Sequence, residues 1–236
     1  MRIDRFLSQA GLASRKEIAK AAKCGHVLVN GVAVRDCAKH IDPAADEVTF
    51  MGQRVKNEPF VYVMLNKPEG YVSATEDNRF PPVTDLLSPA LQKRELFPCG
   101  RLDKDTVGLM LLTDDGALSH LLLSPKRHVP KTYRFACAEP LCKEAEAAFK
   151  EGMTLGNGDV LKEAELRCAP DRLSGEVLIT EGKYHQIKRM FGALGNRITA
   201  LERISFGPLV LDTALAKGEY RSLSDAEVQA LRDAVK

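Results

Sequence analysis

The sequence predicts an α+β protein in two parts, a small N-terminal domain over residues 1–56 and a larger one over residues 60–236. Two helical patterns and a hairpin signal fill the first part. In the second, strand-like and helical runs follow one another without strict βαβ alternation, which predicts a mostly antiparallel mixed sheet with flanking helices. Charge divides at the same place. Residues 1–56 carry ten Lys/Arg against six Asp/Glu, a balance of +4, while the remainder holds twenty-four against twenty-six and stands at −2. Positive charge concentrated in a short module points to docking on a polyanion.

In the first part, Ile3, Phe6, Leu7 and Ala10 recur at helical spacing and Gly11 reads as a stop. Ser14 with Glu17 three residues on makes a capping box for a second helix, whose apolar stripe is Ile18, Ala21 and Ala22. Lys16, Lys20 and Lys23 form one cationic ridge on it, with Arg15 at an N-terminus whose amides also favour phosphate. Val27 to Val34 reads as two short strands around Asn30-Gly31, the pair preferred in tight hairpins, and Asp46 to Phe50 as a further strand. The polar, aperiodic segment Gly52 to Pro59 reads as a linker.

The second part opens with a strand over Phe60 to Leu65. Further strands are expected at Tyr133 to Cys137, Val160 to Leu166, Glu176 to Thr180, Ile198 to Ile204 and Leu209 to Leu211. Helices are expected at Ala117 to Leu123, Leu141 to Glu151 and His185 to Leu194, with a last one starting at Ser224, where Glu227 repeats the capping box. Hydrophobic residues make up 44% of the 236, enough for a real core.

The six cysteines have neither C-x-x-C nor Cys/His ligand spacing, which predicts free thiols in a reducing compartment. Cys99 reads as a packed small hydrophobe rather than a nucleophile. No secretory signal pattern and no run of transmembrane length occurs, so a soluble cytoplasmic protein is expected, with no membrane partner. Glycine-rich dinucleotide and phosphate loops and metal-ligand clusters are also missing, so the expectation is no cofactor and no metal.

The stretch Gly100 to Gly116, GRLDKDTVGLMLLTDDG, sets Asp103 on a glycine-bounded turn against Val107-Gly108-Leu109-Met110-Leu111-Leu112, an uncharged run that reads as an internal strand. Asp105 lies upstream of that strand with Asp103, and Asp114 and Asp115 lie downstream. The whole string resembles the signature of pseudouridine synthases of the RsuA type, enzymes that isomerise uridine in ribosomal RNA. The resemblance extends, in the family's order, to Asn66-Lys67-Pro68 with Gly70, to Lys131-Thr132-Tyr133 and to Glu181 through Phe191, EGKYHQIKRMF. The N-terminal helix, basic helix and V-x-V-N-G order resembles the S-four-like, or alpha-L, RNA-binding domain.

The resemblance implies that Asp103 is the catalytic aspartate, that Tyr133 lies against the flipped uracil, and that the family's basic residue falls on Lys188. Relatives carry arginine there; lysine keeps the charge but loses the bidentate fork. Arg101, His185, Gln186 and Arg189 are implied as phosphate contacts around an extruded nucleotide. In the N-terminal domain the implied contacts are Arg2, Arg5, Arg15, Lys16, Lys20 and Lys23. The expected reaction converts a specific uridine of small-subunit ribosomal RNA to pseudouridine. The expected partner is ribosomal RNA or a ribosomal assembly intermediate, met by a monomer.

Three alternatives stand beside this reading. The first is the same reaction on large-subunit RNA, although Tyr184-His185-Gln186-Ile187-Lys188-Arg189 is worded more like the small-subunit enzymes. The second is a non-catalytic RNA-binding or assembly factor, against which intact Asp103, Tyr133 and Lys188 count. The third is an RNA methyltransferase, which would need a glycine-rich loop after a strand. Gly156 and Gly158 lie instead between a helix pattern and a strand pattern.

Overall fold

The computed structural model describes residues 1–236 except Gly11, Ala44, residues 56–59 and Asn157. It divides into two compact units, Met1–Val61 with Leu87–Leu96, and Tyr62–Leu86 with Phe97–Lys236.

In the first unit, helices α1 (Ile3–Gln9) and α2 (Arg15–Lys23) precede four strands, β1 (Val27–Val29), β2 (Val32–Ala33), β3 (Val48–Phe50) and β4 (Gln53–Val55), in the order β2-β1-β3-β4. A short helix, α3 (Pro89–Gln92), also belongs to this unit. Ile3, Phe6, Leu7, Ile18, Ala22, Val27 and Val48 form its core. The expected capping box is present: Ser14 Oγ accepts from the Glu17 amide, and the Glu17 carboxylate accepts from the Ser14 amide. Asn30 and Gly31 have φ of 52° and 78°, the left-handed pair that a two-residue hairpin of type I′ requires.

One expectation needs correcting here. The Gly52 to Pro59 linker begins with a strand, because Gln53–Val55 pairs antiparallel with Val48–Phe50; residues 56–59 of it lie outside the described residues, as does the stop at Gly11. At the N-terminus of α2 the Glu17 carboxylate accepts from the Ser14 amide and hydroxyl.

The second unit is a nine-stranded sheet. Its main path uses β5 (Tyr62–Lys67), β7 (Val107–Thr113), β8 (Lys131–Cys137), β9 (Glu165–Cys168), β10 (Ser174–Ile179), β11 (Ile198–Phe206) and β13 (Tyr220–Ser222), in the order β13-β5-β7-β11-β8-β10-β9. Two short strands attach to it, β6 (Phe97–Pro98) to β7 and β12 (Leu209–Val210) to β11. Among the described residues the β7 with β11 pair is parallel and the others are antiparallel. The helices of this unit are α4 (Gly116–Leu123), α5 (Ala145–Glu151), α6 (Gln186–Ala193) and α7 (Asp225–Asp233).

Strand β5 is buried along its whole length and β7 from its second residue on, which explains the unbroken apolar run in β7. Leu109 and Leu111 join Met64, Leu118, Leu122, Phe206 and Leu231 in one core. Strand β8 alternates, burying Lys131, Tyr133, Phe135 and Cys137. Gly108 sits where β7 meets β11: with φ +98°, a Cβ there would lie 2.3 Å from the Arg203 carbonyl oxygen. Only glycine permits that approach. Cys99 is fully buried and accepts a hydrogen bond from Ser119 Oγ, as a packed small side chain does.

The strand expected at Val160 to Leu166 is a misplacement. Val160 makes only an isolated bridge to Thr154, and the regular strand runs from Glu165 to Cys168. Leu161 and Ala164 are buried ahead of that strand, so the apolar pattern before Glu165 reflects core packing rather than a ladder.

Candidate active site

Asp103 lies in the loop that enters β7, and its turn is held from below by Lys67, the last residue of β5. The Lys67 side chain is fully buried, and its Nζ donates to the carbonyls of Pro68, Asp103, Lys104 and Thr106 at 2.8–3.3 Å. Burial pushes this ammonium down to about 8, with Asp105, Asp103 and Glu69 acting in the opposite direction. The Thr106 amide closes the turn onto the Asp103 carbonyl at 3.1 Å. Ser73 adds a second clamp, with its hydroxyl donating to the Leu102 carbonyl and accepting from the Leu102 amide. The carboxylate therefore sits on backbone fixed by a buried cation.

Helix α6 brings the cation that faces Asp103. Lys188 Nζ lies 2.9 Å from Asp103 Oδ2 and 2.5 Å from Asp105 Oδ1. Burial acts to lower the Lys188 pKa, but the bonds to Asp105 and Asp103 outweigh it and hold the ammonium above the usual lysine range. At Asp105, burial acts upward, and the Lys188 hydrogen bond and charge bring the carboxyl below its ordinary value. His185, at the N-cap of α6 in a left-handed conformation, places Nε2 3.4 Å from Asp103 Oδ1.

A pocket of about 80 Å³ gathers these groups: Arg101, Asp103, Thr106, Tyr133, Lys183, His185, Gln186 and Lys188 all line it. Tyr133 enters from β8 and is buried. Lys188 is likewise no solvated helix residue, its side chain being 26% exposed. A larger cavity of about 530 Å³ lies elsewhere, on a sheet surface lined by Arg134, Glu176, Glu202 and Lys217. There Glu202 is paired with Arg134 and Lys217.

The other expected contacts fall into separate groups. Gln186 is buried and ties its own loop together, accepting from the Lys183 amide and donating to Glu181. Arg189 pairs with Asp159 and donates to the Tyr184 carbonyl. In the other unit Arg5, Arg15, Lys16, Lys20 and Lys23 are exposed, while Arg2 pairs with Asp4 at 2.6 Å. Sequence reasoning passed over Lys67 and Asp105 as site residues, although both lie inside the quoted motifs. It also missed Thr106, whose buried hydroxyl has no hydrogen-bond partner among the described residues. No group of three potential metal ligands occurs among the described residues, and no helix there is long and apolar enough to cross a membrane.

The RNA pseudouridylate synthase model matches residues 61–193, and the S4 domain model matches residues 1–48. The chain belongs to the RNA pseudouridylate synthase family. It is 44% identical over 236 residues to "Uncharacterized RNA pseudouridine synthase YtzG" of Bacillus subtilis, covering 99% of each chain. It is 41% identical to ribosomal small subunit pseudouridine synthase A of Pasteurella multocida, over 97% of this chain and 98% of that one. The Escherichia coli protein of the same name is 38% identical over 98% of this chain and 100% of its own. A crystal structure of a pseudouridylate synthase superposes with a TM-score of 0.69 at 38% identity, covering 98% of this chain and 99% of that chain. As a family member the protein is a pseudouridine synthase, with an N-terminal RNA-binding domain of the S4 kind. The reading as a non-catalytic assembly factor is thereby set aside.

Proposed function

We propose that the protein converts a uridine of small-subunit ribosomal RNA to pseudouridine, with Asp103, Tyr133 and Lys188 as its catalytic residues. The observation that carries this is the 2.9 Å contact between Lys188 Nζ and Asp103 in a pocket that also holds Tyr133. Breaking the C1′ to N1 bond, turning the base and joining C1′ to C5 moves a proton off C5 and onto N1, and nothing else enters or leaves. Asp103 serves this by attacking C1′ or by taking the 2′ proton, and Lys188 sets a cation beside it at 2.9 Å. Tyr133 packs against the uracil, offsetting part of the stacking that is broken when the base leaves the RNA, and assists removal of the C5 proton.

Residues 1–56 form the docking domain and residues 60–236 the catalytic domain. The exposed ridge of Lys16, Lys20 and Lys23 on α2, with Arg15 and Arg5, supports phosphate contact by the former. Ribosomal RNA as substrate places the enzyme in the cytoplasm, acting as a monomer on RNA or on an assembly intermediate. The names of its relatives support the small subunit over the large.

Mapping pseudouridine in ribosomal RNA from cells with and without the gene tests this. One small-subunit uridine should lose its modification in the deletion strain and regain it when the purified enzyme acts on that RNA. A change confined to large-subunit RNA would reassign the substrate, and no change in either would overturn the proposal.

A further inference from the structure

Tyr184 is 70% exposed, while both sides of its backbone are fastened. Gln186, itself buried, accepts from the Lys183 amide at 3.0 Å and donates to Glu181 at 2.8 Å, and Arg189 donates to the Tyr184 carbonyl at 3.2 Å. A lone exposed aromatic means little. This one is different because of what it stacks on. Its ring lies on the His185 imidazole with centroids 3.8 Å apart and planes 19° from parallel, and His185 Nε2 is 3.4 Å from Asp103 Oδ1. The result is a column of two flat rings whose inner end touches the Asp103 carboxylate and whose outer face opens to solvent. Lys183 and Arg101 line the same pocket and supply positive charge beside it.

We propose that the Tyr184–His185 stack is a base platform: the nucleotide next to the extruded uridine stacks on the outer face of Tyr184, setting the position of the RNA strand relative to Asp103. This rests on the RNA-modifying function proposed above and deepens it. A flat, rigid ring with one face already covered and the other open suits a nucleobase of any identity, because every base has a π-face. Opening the duplex leaves the neighbouring base without its stacking partner, and the platform replaces that partner. Tyr184 acts here as a positioning residue on RNA.

The chain contains no tryptophan, so Tyr184→Trp introduces a single tryptophan at the platform, excited selectively over the remaining tyrosines at long wavelength. Titration with a short oligouridylate should quench its emission along the same curve as binding followed by anisotropy of a fluorescein-labelled oligouridylate. Tyr184→Ala should weaken that binding by about tenfold, and Tyr184→Phe should restore it, because the ring and not the hydroxyl makes the contact. On ribosomal RNA, Tyr184→Ala should raise KM while kcat stays within about twofold of the parent. Emission unchanged at saturating oligouridylate would overturn the platform, as would equal weakening in the Ala and Phe variants or a loss confined to kcat. A parent enzyme without turnover on ribosomal RNA would instead defeat the proposed substrate, and the oligouridylate arm would still decide the platform.

Discussion

Lys188 Nζ lies between two carboxylates, 2.9 Å from Asp103 and 2.5 Å from Asp105, and this bridge joins helix α6 to the loop before β7. Asp105 competes for the cation, so the ammonium is held in place without being committed to Asp103 alone. Asp103→Asn should lower turnover by at least about three orders of magnitude with RNA affinity and thermal stability near parental, because the amide keeps the size but loses charge and nucleophilicity. Lys188→Met should cost about a hundredfold in kcat, and Lys188→Arg should recover part of it if charge is what matters. Single-turnover assays on ribosomal RNA read both; substantial turnover in Asp103→Asn would move the chemistry to another residue.

Lys67 donates to the carbonyls of Pro68, Asp103, Lys104 and Thr106, and removing it takes a buried donor from all four, although the Asp103 and Lys104 carbonyls keep the Thr106 and Gly70 amides. Lys67→Met, similar in length, should destabilise the protein by about 3 kcal/mol in urea denaturation and lower kcat more than it raises KM. A variant of parental stability and turnover would show that the turn holds its shape without the ammonium.

The sequence made some of this legible and hid the rest for physical reasons. The Asn30-Gly31 hairpin and the Ser14 and Ser224 capping boxes are local devices, readable from a few adjacent residues, and all three are present. The buried strand β7 announced itself by an uncharged run. Lys67 did not, because its work lies in carbonyls up to 39 residues away, and nothing in the type or spacing of a lysine reports that. Gln53–Val55 and Tyr220–Ser222 are short strands with partly or fully exposed residues, so they lack an apolar pattern to be found by. Of the residues named for the pocket, Asp103, Tyr133, Lys188, Arg101, His185 and Gln186 do line it. Arg189 turns instead to Asp159, a partnership no motif encodes.

Helix α7 is tied down by Arg221, which donates to Glu227 through two nitrogens and to Asp212 through Nε. The Arg221 hydrogen bond, working against burial, draws the Glu227 carboxyl down to about 2. A carboxyl depressed in the folded state adds stability above its unfolded value, and that contribution fades as pH falls through the folded value. Glutamine can still serve in a capping box, so Glu227→Gln isolates the charge. It should cost about 1 kcal/mol at neutral pH, since the pair is partly solvent-screened. The gap between variant and parent should narrow between about pH 4.5 and pH 2. Chemical denaturation across that range checks it, and a gap independent of pH would assign the loss to geometry rather than charge.

The exposed cations on α2 lead to a prediction about affinity rather than chemistry. Removing one cation that pairs with a phosphate should flatten the logarithmic salt dependence of RNA binding by a slope of roughly 0.7 to 0.9, because fewer counterions are released. Replacing Arg15, Lys16, Lys20 and Lys23 together by glutamine removes the ridge while leaving Ile18 and Ala22 in the core beneath it. The apolar face that holds α2 is untouched, so the small unit should stay folded. RNA affinity should fall steeply at low salt and much less at high salt. Turnover on saturating RNA should fall less than affinity, because Asp103, Tyr133 and Lys188 all belong to the other unit. The measurement is affinity for ribosomal RNA across a salt series, with the quadruple variant beside the parent. Parallel salt slopes would remove α2 from the docking surface and leave the excess charge of residues 1–56 to be explained by Arg5, Arg35 and Lys39.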